Sequence, residues 1–572
     1  MIELPTAEKE LLPVVNELIE TCRISQGMRA AYYRLLNTIA ETGRYDGQKS
    51  LINMMNTHLE RTASHLFSPV ELRFAIDYDN QYAPDTVNRG NVAAKHLTRQ
   101  WEKTSTDTLF GQGVYEGLKY GGSLLKQWAK AEGPNDNPRI SYEKKLVMPW
   151  NFGVYREDDN DIDNQECLCE TSYLTGPELW RRIWNFPNAR KLYDQIMTHA
   201  KANEMGSGPD SFFHQVLSTS QINTGVQGAT RPLPGGIVQL NNDPNYAIMG
   251  PTVGAPVVKF HELWVKGEDD YKTIQVAEPD ILVTRFKLSN LFIKESRLQP
   301  YTLIQPNPVT NWFWGRSELV DLIEPQALLS QWAEDVKRIF GLQIDKLLAF
   351  KGDNTITDEM FAQFRFSGYA NLGQGGGVED LTPKMPPEAI EMLKFCIEMI
   401  NTLGSFPDIM QGKGESGVRA GVHANTLLKT ASPTLRDRAL LTERQCAVAA
   451  DRTMTLMEAK EDRKFWVDPK KMEDTFMLTD LPEDWRVTVD SHSSSPIFSD
   501  EATQLLFALR KSGDVDGEFM IDNTPVPNKE TAKAQLRERR KNAQEMQKQL
   551  FGQLSPEGKD KAIEKMFAHG KH

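Results

Sequence analysis

The sequence predicts an α+β protein that is mainly helical and has several domains. Its 572 residues, 40% of them apolar, are enough for roughly two to four domains of ordinary size. Apolar residues recur at helical spacing near both ends and in the middle of the chain. Between these stretches, residues 138–175 and 257–288 alternate apolar and polar side chains, as strands do.

Composition and charge limit the classes of function. The net charge of −12 disfavours tight, sequence-reading DNA binding, which depends on clustered Lys and Arg. Five scattered cysteines do not form a disulfide framework and are typical of a reducing compartment. The one-residue gap between Cys167 and Cys169 suits one face of a strand better than a zinc site. We expect no signal peptide and no transmembrane helix, because no apolar run is long enough.

The first half of the chain combines helices with a strand-rich region. Helices are predicted at 7–43, 46–66 and 91–130. Strands and turns follow over 138–175, and Thr175 with Pro177 opens a short helix. Further strands are predicted at 257–267, 271–278 and 280–288. Residues 203–256, rich in Gly, Pro, Asn and Ser, are expected to form a long surface insertion, to which the sequence assigns no role.

A long apolar stripe predicts one helix over 317–345, with Ser317 as its N-cap and a kink at Pro325. A small β–α–β unit is predicted next, with strands at 346–350 and 369–372, a helix at 357–364 and a glycine linker at 373–377. Residues 386–404 predict a helix that is apolar on two sides. Such a helix needs neighbours on both sides.

The segment GKGESGVRAGVHANTLLKT, residues 412–430, is rich in glycine and charge. It lacks the spacing of the phosphate-binding loop GxxxxGK[ST] and of the nucleophile elbow GxSxG. A helix is predicted from 422 to 460, with an interruption at Pro433. The tail predicts a strand at 485–492 and helices at 499–513 and 527–550.

The acidic stretch DNDIDNQECLCE has carboxylates at the ligand positions of a calcium loop: Asp159, Asp161, Asp163 and Glu170. Asn164 replaces the usual glycine, and strands flank the stretch in place of helices. An acidic hairpin turn is therefore the favoured interpretation, and the cation site is the weaker alternative. We find no HExxH motif and no nucleophile–base pair, so we expect neither an enzyme nor a cofactor.

The order of these elements resembles the portal protein of tailed bacteriophages, the head–tail connector. The resemblance rests on NWFWGRSELVDLIEPQALLSQWAEDVKRI and on NTLGSFPDIMQGKGESGVRAGVHANTLLKTASPTLRD, together with the sequence of parts around them. It implies a ring of subunits, each with a strand-rich wing, a helical stem, a small clip and a helical crown. The parts would be the wing at 1–315 and 422–495, the stem helices at 316–345 and 386–405, the clip at 346–385, the tunnel loop at 406–421 and the crown at 496–572.

The resemblance also implies roles for individual residues. The tunnel loop would meet DNA through Gln411, Lys413, Glu415, Ser416 and Arg419. Stem packing would use Leu322, Leu329, Trp332, Val336, Ile339, Leu393, Ile397 and Ile400. The docking face of the clip would include Asp353, Asn354, Asp358, Glu359 and Gln363.

The partners implied by the resemblance are those of a portal vertex. They are further copies of the chain in a closed dodecameric ring, double-stranded DNA without sequence specificity, the large terminase subunit, the major capsid and scaffolding proteins, and tail adaptor proteins. The expected location is the virion, with the host cytoplasm during assembly, and no membrane contact is expected. Two alternatives remain open: another virion structural protein, such as a head–tail adaptor or internal scaffold, and a DNA-processing hydrolase or motor subunit.

Overall fold

The fold is that of a mixed α+β protein, as the sequence predicts. A computed structural model describes residues 2, 4–5, 7–44, 49–69, 72–132, 139–184, 186, 188–202, 256–267, 271–287, 299–344, 348–351, 377–380, 384, 386–404, 433–461, 463–466, 475–489, 510–511, 516–517, 520 and 535–542. Among the helices of these residues, none has both the length and the apolarity needed to cross a membrane.

The helices are distributed along the whole described chain. They are α1 (Glu8–Thr42), α2 (Met55–Leu66), α3 (Pro84–Thr104), α4 (Thr106–Tyr120), α5 (Gly176–Ile183), α6 (Ala189–Thr198), α7 (Ile323–Ile344), α8 (Glu388–Leu403) and α9 (Pro433–Lys460). In the tail, residues 510–511 and 535–542 are helical, within the two helices predicted there.

Strands form five separate sheets in the described residues. The first strands are β1 (Phe74–Tyr78), β2 (Ser123–Glu132), β3 (Arg139–Val147), β4 (Phe152–Val154), β5 (Cys167–Thr175) and β6 (Lys201–Ala202). The later strands are β7 (Pro256–Lys266), β8 (Tyr271–Ala277), β9 (Ile281–Lys287), β10 (Tyr301–Ile304), β11 (Leu348–Lys351), β12 (Gly377–Asp380), β13 (Phe465–Trp466), β14 (Thr475–Phe476) and β15 (Trp485–Val489). The strand orders are β4-β5-β7-β8-β9 with β6 beside β7, β10-β2-β3, β1-β15, β11-β12 and β13-β14.

The six-stranded sheet is covered on both faces. Cys167 and Cys169 point to one face, where they pack on the first half of α1. Leu168, between them, points to the other face and packs with the sheet that contains β2. This period-two alternation confirms that the two cysteines share one face of a strand. At one edge, α5 and α6 cover the ends of β5 and β7.

The largest apolar core lies among the helices. It joins the second half of α1 with α2, α3, α4, α8 and α9 and with the β1–β15 pair. Trp101 of α3 and Trp485 of β15 are both almost completely buried in it. Part of α8 packs in this core, and α7 packs against α8. One end of the α7–α8 pair is therefore anchored in the body of the protein.

The predicted helix 91–130 is interrupted at Ser105 and is wrong from Gly121 onward. Ser105, at φ 52°, separates α3 from α4, and Gly121, at φ 97°, ends α4. Residues after Gly121 form β2, the central strand of its sheet. Leu124 and Leu125 are both fully buried, in two different cores, because both faces of β2 are covered. A strand covered on both faces lacks the alternation by which strands are recognised.

Two predicted helix starts are too early. Helix α2 begins at Met55, and the described residues 49–54 before it are not helical. The Asn53 side chain accepts a hydrogen bond from the Met55 N–H at 2.9 Å, at the first residue of the helix. Ser317 precedes a 3₁₀ turn and not α7 itself, which begins at Ile323. The Ser317 hydroxyl donates to the Lys119 carbonyl at 2.7 Å and accepts a hydrogen bond from the Leu319 N–H at 3.2 Å. Pro325 falls in the first turn of α7, where no intrahelical N–H bond is lost, so the cause of the predicted kink is absent.

Candidate assembly interface

Helices α7 and α8 form an antiparallel pair. They pack side by side, and the strands next to their far ends, β11 and β12, pair antiparallel with Leu348 opposite Asp380. At the near end, α8 contacts the 3₁₀ turn Val320–Leu322 that precedes α7. The chain therefore runs out along α7 and returns along α8 to the place where it left the body.

Burial decreases along α7 from its start to its far end. Leu329 is fully buried and Ala333 is 6% exposed. Val336 and Ile339, farther out on the same apolar side, are only partly buried, and Phe340 is 49% exposed. The apolar stripe of α7 thus extends past the buried residues to a part of the helix where its side chains are partly exposed. The outer half of α7 therefore carries apolar side chains that are partly or largely exposed within one chain.

Helix α8 has an apolar surface on each side of its buried face. Ala389, Cys396 and Ile400 face the core and are at most 3% exposed. Ile390 is 48% exposed and Phe395 is 53% exposed. At 3.6 residues per turn, these two side chains lie about 100° and about 120° to opposite sides of Ala389. The side of α8 that lies opposite the core, between these two flanks, is left for solvent.

A buried carboxylate holds the near end of the pair to the body. The Glu318 carboxylate accepts hydrogen bonds from Arg438 at 2.9 and 3.0 Å and from Asn307 at 2.8 Å. The ring of His58 lies 3.3 Å from it. The end of α8 is close to the same ring, because a Cβ on Gly404 would lie 2.2 Å from a His58 ring carbon. We call Glu318, His58, Asn307 and Arg438 the root cluster.

The surroundings of Glu318 favour its charged form. Burial alone would raise the pKa of this carboxyl group, but the hydrogen bond from His58 and the charge of Arg438 outweigh burial and lower the pKa to about 2. The carboxylate is therefore ionised at neutral pH, where it forms an ion pair with Arg438. The root cluster is a fixed anchor for the pair, since its members come from distant parts of the chain.

The predicted stem-packing residues divide into two groups. The structure buries three of them in the core of their own chain: Leu322, Leu329 and Ile400. The other five are partly buried: Trp332, Val336, Ile339, Leu393 and Ile397. Leu393 and Ile397 pack against the core of the same chain, so these two residues of the apolar stripe on α8 make contacts within one chain.

Two other predicted sets lie outside the described residues. They are the tunnel-loop set, Gln411, Lys413, Glu415, Ser416 and Arg419, and the clip set, Asp353, Asn354, Asp358, Glu359 and Gln363. The ends of the clip segment are described: β11 agrees with the strand predicted at 346–350, while β12 extends from Gly377, where a linker ends in the prediction.

The acidic stretch 159–170 covers the second part of the hairpin connection between β4 and β5 and the first residues of β5. Glu170 is buried and accepts hydrogen bonds from Lys126 at 2.7 Å and Lys145 at 3.1 Å. Burial would raise its pKa, but the charges of these two lysines lower it instead. Asp163 is bound by Arg452 at 3.1 Å. Among the described residues, no group of three or more His, Cys, Asp and Glu side chains could hold a metal ion.

The site residues predicted from sequence omit several exposed apolar residues of the pair and the whole root cluster. Phe340, Ile390 and Phe395 are in the apolar stripes of the sequence, but nothing in the sequence separates them from the buried members. Glu318 and Arg438 are 120 positions apart. Ordinary charged residues at such a separation carry no pattern that would identify them as partners.

The comparisons with known proteins assign no family. No protein-family model matches the chain, and no curated protein sequence matches it.

Proposed function

We propose that the protein is a portal protein: a subunit of a closed ring that forms the DNA conduit at one vertex of a tailed-phage capsid. In this proposal α7 and α8 are the stem, and the ring packages double-stranded DNA and later releases it. The role is structural, and no catalysis is assigned to it. The alternative from the sequence, another virion structural protein such as a head–tail adaptor or scaffold, makes different predictions for assembly.

The observation that carries the proposal is the pair of apolar flanks on α7 and α8. Apolar surface of this kind on an anchored helix pair is typical of a protein–protein contact. The two flanks differ in their residues, with Ile390 on one and Phe395 on the other. We infer that one flank of a subunit meets the opposite flank of the next. Contacts of this head-to-tail type generate rings when the rotation between subunits closes.

Simple geometry agrees with a DNA conduit. Helices packed side by side are about 9–10 Å apart, so twelve of them form a circle roughly 34–38 Å across. Subtracting a helix diameter of about 10 Å leaves an opening of about 24–28 Å, wide enough for a DNA duplex with its water. The net charge of −12 also supports a conduit, because a polyanion that must slide should not be held tightly.

The remaining parts follow the same proposal. The segment 406–421 would form the tunnel loop, and the clip at 346–385 would dock the large terminase subunit and later the tail adaptor. The wing and the crown would face the major capsid and scaffolding proteins. These assignments depend on the portal resemblance and on the order of elements along the chain.

The assembly state of the purified protein tests the proposal. We expect size-exclusion chromatography with mass measurement to give one closed oligomer near twelve copies. Electron-microscopy class averages should show a ring with a central channel. A monomer or an open polymer would contradict the portal role and favour the adaptor or scaffold. ATP hydrolysis by the purified chain would contradict the structural role.

A further inference from the structure

A cleft lies between α4 and the edge of the six-stranded sheet, and no residue of the root cluster lines it. Its volume is about 1000 Å³, and its walls come from α4 on one side and from β5 and α5 on the other. Pockets for small ligands in proteins are commonly about 300–1,000 Å³. The size of the cleft therefore fits a ligand of the size of a nucleotide or a large metabolite.

The cleft wall contains a buried cation without an acidic partner. Lys119 is 6% exposed and donates a hydrogen bond to the side-chain oxygen of Asn37 at 2.6 Å. Among the residues that the structure describes, no carboxylate lies within salt-bridge distance of the Lys119 ammonium group. Buried charges are normally paired, because an unpaired one loses its hydration without compensation.

A carboxyl group one turn away shares the cleft and does not pair with Lys119. Glu116 lines the same cavity, and it makes no hydrogen bond or ion pair with any described residue. Burial raises its pKa, the charge of Lys119 lowers it, and the charge of Glu41 raises it, with a net increase. The cleft therefore disfavours the charged carboxylate at this position relative to an exposed Glu.

The opposite wall supplies further positive charge. Arg181 of α5 lines the cleft, is exposed, and forms no ion pair with a described residue. The acid nearest in sequence, Glu178, is occupied as the cap of α5, where it accepts a hydrogen bond from the Thr175 N–H at 2.9 Å. Aromatic side chains, including Trp150, form part of the wall and offer an apolar surface to the body of a ligand.

We propose that this cleft binds a small organic anion, a carboxylate or a phosphate ester, with Lys119 and Arg181 as its cationic contacts. The anion supplies the partner that the buried ammonium group lacks. The guanidinium group of Arg181 contacts the anion from the other wall, and the apolar part of the ligand packs on the aromatic side. No residue of α7 or α8 lines this cleft, so the proposal does not depend on ring formation.

Calorimetric titration of the full chain with AMP, citrate and inorganic phosphate tests the proposal. At least one probe should bind, and Arg181→Ala and Lys119→Met should each weaken binding about tenfold, the effect of losing one charge-assisted hydrogen bond. Arg190→Ala removes an exposed arginine outside the cleft and should leave binding unchanged. Binding of AMP without citrate would identify a phosphate ester, and the reverse a carboxylate.

Lys119→Met also removes the hydrogen bond to Asn37 and can impair folding. Arg181 is exposed, so Arg181→Ala does not disturb the core and tests the proposal even if Lys119→Met does not fold. The proposal is overturned if no probe binds at millimolar concentration, or if Arg181→Ala binds as tightly as the unchanged protein. It is also overturned if a structure of the assembled protein shows a neighbouring chain filling the cleft.

Discussion

Single residues of the root cluster connect parts of the chain that are far apart in sequence. His58 comes from α2, Asn307 from the loop after β10, and Arg438 from α9. All three contact the carboxylate of Glu318, which is 7% exposed on its side chain. A buried carboxylate with several charged or polar donors is stable only while the donors remain in place. The cluster therefore positions the start of α7 relative to α2 and α9.

We predict that Glu318→Gln destabilises the protein by about 3 kcal/mol at neutral pH, the equivalent of a pKa lowered from 4.5 to about 2. Because the folded-state pKa lies below the unfolded one, this stabilisation is complete above pH 4.5 and is lost as the pH falls towards 2. Urea unfolding at pH 7 and pH 3 measures both effects. The gap between the variant and the unchanged protein should narrow at pH 3.

The control for this prediction is Glu398→Gln, which makes the same change at an exposed position on α8. We expect it to alter the unfolding free energy by less than about 0.5 kcal/mol, as surface substitutions usually do. If both variants are equally stable at pH 7, the ion pair of Glu318 with Arg438 does not stabilise the fold as we describe.

At the scale of elements, the helices and strands whose apolar residues recur at a regular spacing were predictable from the sequence. The prediction failed where an element is buried on both sides, because such an element lacks that spacing. Helices α1 and α8 were predictable because their apolar residues recur at helical spacing, and Gly43 ends α1 with φ 76°. Strand β2 was not, because Leu124 and Leu125 are both buried. Of the candidate site, the helix pair was predictable. Its division into buried and exposed members was not, because that depends on contacts distant in sequence.

We predict that Phe395→Glu prevents ring assembly and leaves the single chain folded. Phe395 is 53% exposed within one chain, so the substitution costs little folding free energy there. Between subunits, the new carboxylate would be an unpaired buried charge, which costs on the order of several kcal/mol. Lys394→Glu, at the next and exposed position, is the control and should assemble. Chromatography measures the ring yield, and circular dichroism checks the fold. Normal rings from Phe395→Glu would remove this flank from the interface.

At the scale of the whole molecule, the two ends of the segment between α8 and α9 are held by the same cluster. Gly404, at the end of α8, lies against His58, and Arg438, in the second turn of α9, binds Glu318. The segment that joins them spans residues 405–432, and the described residues on both sides of it meet at the root cluster. In the proposed ring, this segment would contact DNA in the channel, while α7 and α8 would form the contacts between subunits.

We predict that deleting residues 412–421 leaves ring assembly intact and impairs the packaging or retention of DNA. The deleted stretch has only Val418 and Ala420 as apolar residues, so it can add little to any core. Its Lys413 and Arg419 are the charges available for contact with phosphates. Size-exclusion chromatography measures assembly, and protection of packaged DNA from nuclease measures packaging. The double substitution Lys413→Gln and Arg419→Gln keeps the length of the segment and separates the effect of charge from the effect of shortening. Loss of rings on deletion would show that the stretch contributes to assembly, and full packaging by both variants would exclude it from the DNA path.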